Sequence, residues 1–360
     1  MKIASWYLIR NVLIGFVAAA ALLLPLFTTF DLINELDDVT SGGYRWNQAL
    51  LVVLMTLPRR AVDLSPFIAL LGGIVGLGQL ATTQELTAMR TAGISIVRIA
   101  ATTVVAGLIL VVMMGALDEW AASPLQQRGV LLRNEALAIS GESAGQDGSI
   151  WARRGDEVAR IGTMSRHNTP LRIEIFRYAP DMSLKSYVFA DSANIRPDGT
   201  WLLKNAQIKE WKQTDESTSQ QEYLVWQSVF SEQRLRELTL PTDSFSIRQL
   251  YHYIQFLAGS DQTTAEYEMA MWQKLGRPVL TLAMILFAVP FTFVQQRSPG
   301  LGGRLAIGAL LGLLIYVSNQ IIANLGLLFA GNVMLTTLLP AFVLLGIAMM
   351  LIHRFDRVSR

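Results

Sequence analysis

Residues 80–95 read LATTQELTAMRTAGIS. A long apolar run ends at this stretch and another begins just after it. Thr82 and Glu85 have the spacing of a capping box, in which each side chain satisfies a backbone amide that a helix start leaves orphaned. Gly93 suits the position after a helix, where the chain turns left-handed. Ser95 is placed to cap whatever follows. The spacing therefore predicts a separate short helix over 83–92. Ten residues are too few for a stable helix in water, so docking is expected. Leu86 and Met89, three apart, face one way, and Glu85 joins Met89 at i+4. Two readings stay open. Glu85 only caps its own helix and Arg90 only sets membrane topology, or Glu85, Leu86, Met89 and Arg90 dock into a partner.

The flanks decide where this helix sits. Of the 360 residues, 52% are hydrophobic and 16% charged, against about 25% charged in soluble domains. Residues 278–296 and 305–352 carry no Asp, Glu, Lys or Arg. About 20 apolar residues span a bilayer, so the chain reads as an integral membrane protein. Six spans are expected, near 11–34, 61–81, 96–118, 268–294, 304–325 and 332–352. The first is read as a retained helix rather than a signal peptide, because its apolar run is too long and no small-residue cleavage site follows. Lys/Arg bias orients the spans. With both ends in the cytoplasm, nine basic residues (Lys2, Arg10, Arg90, Arg98, Arg297, Arg304, Arg354, Arg357 and Arg360) lie inside, with Glu85 and Asp356 as their acids. The 80–95 stretch then lies in the cytoplasm.

Between the third and fourth spans the pattern changes, and 120–264 reads as one exported insertion. A linker rich in Gly, Ser and Gln (140–149) leads into alternating segments: SIWARR, EVARIG, LRIEIFRYA, LKSYVFAD, TWLLKNAQIKEW and QEYLVWQSVF. Pro180-Asp181 and Pro197-Asp198-Gly199 supply turns. Period-two alternation broken every eight to twelve residues predicts a sandwich or jelly roll. Its tryptophans fit an ordinary core or a cavity for acyl chains equally well. SIRQLYHYIQFLAG, from Ser246, predicts an amphipathic helix. The expected division is 1–129 for the first three spans, 130–245 for the β domain, and 246–360 for the connecting helix and last three spans. The fold class is α+β, with the jelly roll inserted between spans three and four.

No phosphate-binding loop of the G-x-x-x-x-G-K-[ST] type occurs, so ATP binding by this chain is not expected. His167, His252 and His353 are scattered, no metal site is expected, and the chain has no cysteine for thiolate ligands or disulfides. SPGLGG (298–303) follows no strand and reads as a tight turn. No nucleic-acid partner is expected. Arg59 and Arg60 precede the second span, and Lys274 and Arg277 lie at matching depth in the fourth. They either snorkel to the headgroups or form a basic rim for lipid phosphates. Asp31, Asp37 and Asp38 either pair with these groups or reach phosphates through a divalent cation.

The whole chain resembles the LptF/LptG family of lipopolysaccharide-export permeases, and the LptG branch more than LptF. The resemblance rests on GLGQLATTQELTAMRTAGIS (76–95), PRRAVDLSPFIALLGGIVGLG (58–78), SIRQLYHYIQFL (246–257), Trp272-Gln273-Lys274, and Asn319-Gln320. Gln84 departs from the serine expected before Glu85. Asp31, Asp37 and Asp38 stand where some relatives carry lysines. The resemblance implies a heterodimer with an LptF-like paralogue, driven by two copies of an LptB-like ATPase that supply the ATP and Mg chemistry. Lipopolysaccharide would leave the bacterial inner membrane for an LptC-like and LptA-like periplasmic bridge. The chain itself would be a transporter subunit without enzymatic activity or cofactor, with 83–92 as its coupling helix. The alternative is a mechanotransmission-type ABC membrane subunit that couples ATP hydrolysis to periplasmic work without moving lipid.

Overall fold

The computed structural model describes residues 2–39, 43–139, 150–164, 169–179, 181, 183–196, 200–212, 215–227, 240–258, 264–294, 301–328 and 332–358. The expected linker 140–149, the turn residues Pro180 and 197–199, Arg297, and the first part of SPGLGG lie outside them.

Ten helices are described: α1 (Lys2–Asp37), α2 (Trp46–Asp63), α3 (Ser65–Thr82), α4 (Glu85–Thr91), α5 (Ile96–Leu117), α6 (Ser123–Ile139), α7 (Ile247–Ala258), α8 (Ala265–Val294), α9 (Leu301–Leu328) and α10 (Val333–Val358). Among the described residues, six stretches are long and apolar enough to cross a membrane: Ile3–Asp37, Ser65–Thr82, Ile96–Leu137, Ala265–Thr292, Ala306–Gly326 and Val333–Arg357. They match the six expected spans, with one correction. The third does not stop near 118. A π-helical turn, Asp118–Ala122, joins α5 to α6 without a break. The helical part therefore runs past residue 129, and the first strand among the described residues is Ile150–Arg154.

α3 is the central helix, packed against α1, α8 and α9, while α10 packs on α8. Its glycines make this work. A Cβ on Gly15 of α1 would lie 2.1 Å from the Gly72 carbonyl oxygen, and one on Gly76 would lie 2.7 Å from the Asn11 carbonyl oxygen. Bare backbone on both sides lets two helices approach closely without a hydrophobic drive between them. Leu8, Val12, Phe16, Leu70, Ile74, Leu77, Met284 and Ile285 fill the core around that crossing. α9 and α10 present most of their apolar surface outward, with Leu310, Leu314, Ile321, Leu335, Leu339 and Met350 exposed.

The strands β1 (Ile150–Arg154), β2 (Glu157–Met164), β3 (Pro170–Tyr178), β4 (Leu184–Ile195), β5 (Thr200–Lys212) and β6 (Asp215–Gln227) form one antiparallel sheet in sequential order. Each expected segment contributes a strand, with 149 and 228–230 lying outside the described residues. Among the described residues they make a single meander rather than two facing sheets. One face carries the core: Ile161, Ile173, Ile175, Val188, Ala190, Trp201, Leu203 and Trp226. Spacing of two puts such residues on one side. Trp201 meets Trp226 edge-on, with ring centroids 5.4 Å apart. The alternation slips by one at Asp191 on β4 and Asn205 on β5, where Asn205 has φ +54° and donates to Asp191 at 3.0 Å. Such an irregularity bends a sheet. α7 follows as expected, burying Leu250, Tyr253 and Leu257.

Candidate functional site

Two regions hold the candidate residues, at opposite ends of the helices. α4 lies at the end where α1 starts and α10 finishes. The charged residues of α2 and α8 lie at the end that leads to the sheet.

α4 is shorter than 83–92 and begins differently. Thr82 is the last residue of α3, so its hydroxyl bonds back to the Gln79 carbonyl at 2.7 Å. The capping box therefore does not form. Gln84 turns left-handed at φ +62°, and Glu85 accepts instead from the Thr83 hydroxyl at 3.0 Å. The exit follows the expectation. Gly93 has φ +88°, and Ser95 Oγ accepts from the Arg98 amide at 3.3 Å. A second cap comes from far along the chain: buried Asp356 accepts from the Ile96 amide at 3.0 Å. It fills an orphan donor of α5 and ties the end of α10 to the α4 loop.

Leu86 is fully buried in the chain's own core, with Met89 half-buried against it. Leu86 is thus not free to enter a partner. It anchors α4, because a seven-residue helix needs tertiary packing to persist. The surface left for docking is Ala88, which is exposed, with Glu85 and Arg90 half-exposed beside it. Tyr7 of α1 sits against the Glu85 carboxylate. Replacing Leu86 with Ala should cost about 2–5 kcal/mol locally. The checkable outcome is faster hydrogen exchange across 83–95, with the sheet unchanged.

At the other end the expected basic rim is mostly neutralised. Lys274 Nζ donates to both oxygens of Asp118, at 3.0 and 2.9 Å, and lies 3.4 Å from Ser123 Oγ. Arg59 Nη1 donates to Asp118 Oδ1 at 2.9 Å, and its Nε pairs with Asp63 at 3.2 Å. Arg277 pairs with the same Asp63 oxygen at 3.0 Å. Arg59, Lys274 and Asp118 are 5–6% exposed. Water cannot compensate these charges, so they compensate one another. Arg59 and Lys274 are therefore buried cross-links and do not snorkel. The network joins α2, the π turn and α8. Sequence reasoning missed both acids. Asp63 was readable as the i+4 partner of Arg59. Asp118 had no local signal, because the π turn that swings it inward is invisible in composition.

Arg60 faces outward from this network and holds Asp31 through two bonds, one from Nε at 2.7 Å and one from Nη2. Arg133 of α6 pairs with Glu35 at 2.9 Å and with Asp38. The buried Tyr44 hydroxyl donates to Glu35 at 2.7 Å, and burial plus that carboxylate pushes the phenol's pKa upward. Asp37 is exposed. A polar cavity of about 300 Å³ lies between these groups, lined by Asp31, Asn34, Glu35, Arg60, Asp63 and Gln126 among others. No group of three or more acidic or imidazole side chains positioned for a metal ion is found among the described residues. In the fifth span, Gln320 is exposed, and buried Asn319 Oδ1 has no hydrogen-bond partner among the described residues.

This architecture agrees with the comparisons. Residues 6–354 match the family described as the lipopolysaccharide export system permease LptF/LptG. The lipopolysaccharide export system permease protein LptG of Haemophilus influenzae is 26% identical over 349 residues, covering 97% of each chain. LptG of Escherichia coli K12 is 26% identical over 324 residues, covering 89% of this chain and 90% of its own. Six membrane-crossing helices with an antiparallel sheet inserted between the third and the fourth, matched over nearly the full length, place this chain in the LptF/LptG family of lipopolysaccharide export permeases.

Proposed function

We propose that the chain is the permease subunit of an ABC transporter that draws lipopolysaccharide out of the bacterial inner membrane. It would pass the lipid to a periplasmic bridge and work beside an LptF-like paralogue. ATP is bound and hydrolysed in a separate ATPase dimer. α4 is the coupling helix and lies in the cytoplasm, and the sheet is periplasmic. The observation that carries this reading is the construction of α4. It is a short helix clamped to the bundle by Leu86, with Glu85, Ala88 and Arg90 left toward the outside, at the end opposite the sheet. A helix gripped on one side and open on the other passes force from a docked partner into α3 and α5. The Asp356 cap extends that grip to α10.

The test is purification in mild detergent with a photo-crosslinker at Ala88. An ATPase subunit should be captured at that position, and lipopolysaccharide should co-purify. Replacing Glu85 with Ala should weaken ATPase recovery by roughly 2–5 kcal/mol if the carboxylate meets a cation buried at the interface. Membrane insertion should be unchanged. Unaltered recovery together with normal export would remove Glu85 from the coupling role.

A further inference from the structure

The acids at the end of α1 are spaced along one side: Asp31, Glu35 and Asp38. Each is held by an arginine from another helix, Asp31 by Arg60 of α2 and the other two by Arg133 of α6. These pairs differ from the sealed Arg59–Asp118–Lys274 network. The Arg60 and Arg133 side chains are 36% and 38% exposed, and the 300 Å³ polar cavity opens against Asp31, Glu35 and Arg60.

Beyond these pairs, this end of α1 is held by the Tyr44–Glu35 hydrogen bond and by Val39, which packs on Tyr44, Ala49, Val52 and Ala136. Leu23 is its last buried core residue and Phe27 its last partly buried one in that core, and no residue from 28 to 37 is buried. Phe30, Ile33 and Leu36 point outward. Along 28–37, ion pairs to α2 and α6 thus stand in for the buried apolar contacts that hold the rest of α1. Partly exposed pairs are weak, and a guanidinium donates to carboxylate or phosphate in the same forked geometry. A phosphate group accepts the same charge-assisted, two-pronged bonds as a carboxylate and carries more negative charge to compete for them.

We propose that Asp31, Glu35 and Asp38 are internal stand-ins for an anionic lipid headgroup. Without lipid they occupy Arg60 and Arg133. A headgroup phosphate that reaches the cavity displaces them from the guanidinium forks. The freed carboxylates then face the incoming anion, and like-charge repulsion pushes the end of α1 away from α2 and α6. The acids set the threshold for binding while the arginines do the binding. This inference rests on the lipid-extracting reading above.

The chain has no native cysteine, so labels are easily placed. Spin labels at exposed Ile33 and Leu132, introduced as I33C and L132C, report the distance between α1 and α6 in the assembled complex in nanodiscs. Three conditions are compared: phosphatidylethanolamine alone, the same with lipopolysaccharide, and the same with inorganic phosphate. The distance should lengthen with lipopolysaccharide. Lengthening with inorganic phosphate as well would assign the displacement to the free anion; lengthening with lipopolysaccharide alone assigns it to the lipid headgroup. Asp31→Asn and Asp38→Asn should each lengthen the distance before lipid is added. Each should also tighten lipopolysaccharide retention about two- to fivefold, the worth of a partly exposed ion pair. Arg60→Gln should lose retention. Photo-crosslinking of lipopolysaccharide to position 34, which lines the same cavity and leaves Arg60 in place, serves as a separate control. No crosslink there and no co-purifying lipopolysaccharide would defeat the lipid-extracting reading itself. A clear crosslink with an unchanged distance, or with retention unchanged or weakened in the Asn variants, would overturn the displacement alone.

Discussion

Replacing Asp118 with Ala should destabilise the helical part by about 3–5 kcal/mol, the usual cost of stripping the partner from a buried charge. Asp118 accepts from Lys274 and from Arg59, both nearly inaccessible to water. Removing it leaves Lys274 without its acid and Arg59 and Arg277 sharing Asp63. Asp118→Asn should fall between wild type and Ala, since one oxygen still accepts. Adding Lys274→Met to Asp118→Ala should recover part of the loss, because the stranded ammonium is gone. The comparison Asp37→Ala, at an exposed acid, should stay within about 0.5 kcal/mol. The measurement is the thermal midpoint of the purified protein in one detergent. Equal midpoints for Asp118→Ala and Asp37→Ala would mean that the network contributes nothing to stability.

The second large effect is expected at the α1–α3 crossing. Gly15→Ala places a methyl 2.1 Å from the Gly72 carbonyl oxygen, and the opposing atoms are backbone, which has no rotamer to move. Overpacking in a filled core costs about 1–3 kcal/mol, more where the neighbour cannot yield. The helices must separate, which loosens Val12 and Phe16 from the core. Gly115→Ala is the matched control, since a Cβ there meets nothing within 4 Å and Ala is the better helix former. Size-exclusion recovery should collapse for the first and hold or improve for the second. A monodisperse Gly15→Ala protein with an unshifted midpoint would contradict the close-packed crossing.

What the sequence made legible follows from the range of each signal. The spans were readable because tracts such as 305–352 carry no charge, and a bilayer leaves only a closed set of answers for such tracts. The strands were readable because period two places Ile173 and Ile175, or Trp201 and Leu203, on one face. Ser95 and Gly93 were readable because a cap acts within one turn. Leu86 was misread because the apolar face of a short helix does not say whether it packs on its own chain or another. The charges of 59 and 274 were misread, and Asp118 was missed, for a related reason. Each basic residue was visible, but its acid lies 59 to 156 positions away. Only the assembled bundle brings them together, and the π turn that aims Asp118 leaves no compositional trace. Likewise the acids of α1 suggested a partner without identifying it. Arg60 was within the set considered for Asp31, whereas Arg133 was not considered for Asp38.

The central claim is that ATP turnover in a partner, received through α4, drives lipid out of the membrane through this chain. It is tested most directly in proteoliposomes that contain the chain, its paralogue and the ATPase, preloaded with labelled lipopolysaccharide and supplied with the acceptor bridge protein outside. Loss of label from the vesicles is followed with ATP and with a non-hydrolysable analogue. The account predicts ATP-dependent transfer of lipopolysaccharide to the acceptor, absent with the analogue and strongly reduced by Glu85→Ala. ATP hydrolysis at a normal rate with all label retained in the vesicles would contradict it, and would leave a subunit that transmits force without moving lipid.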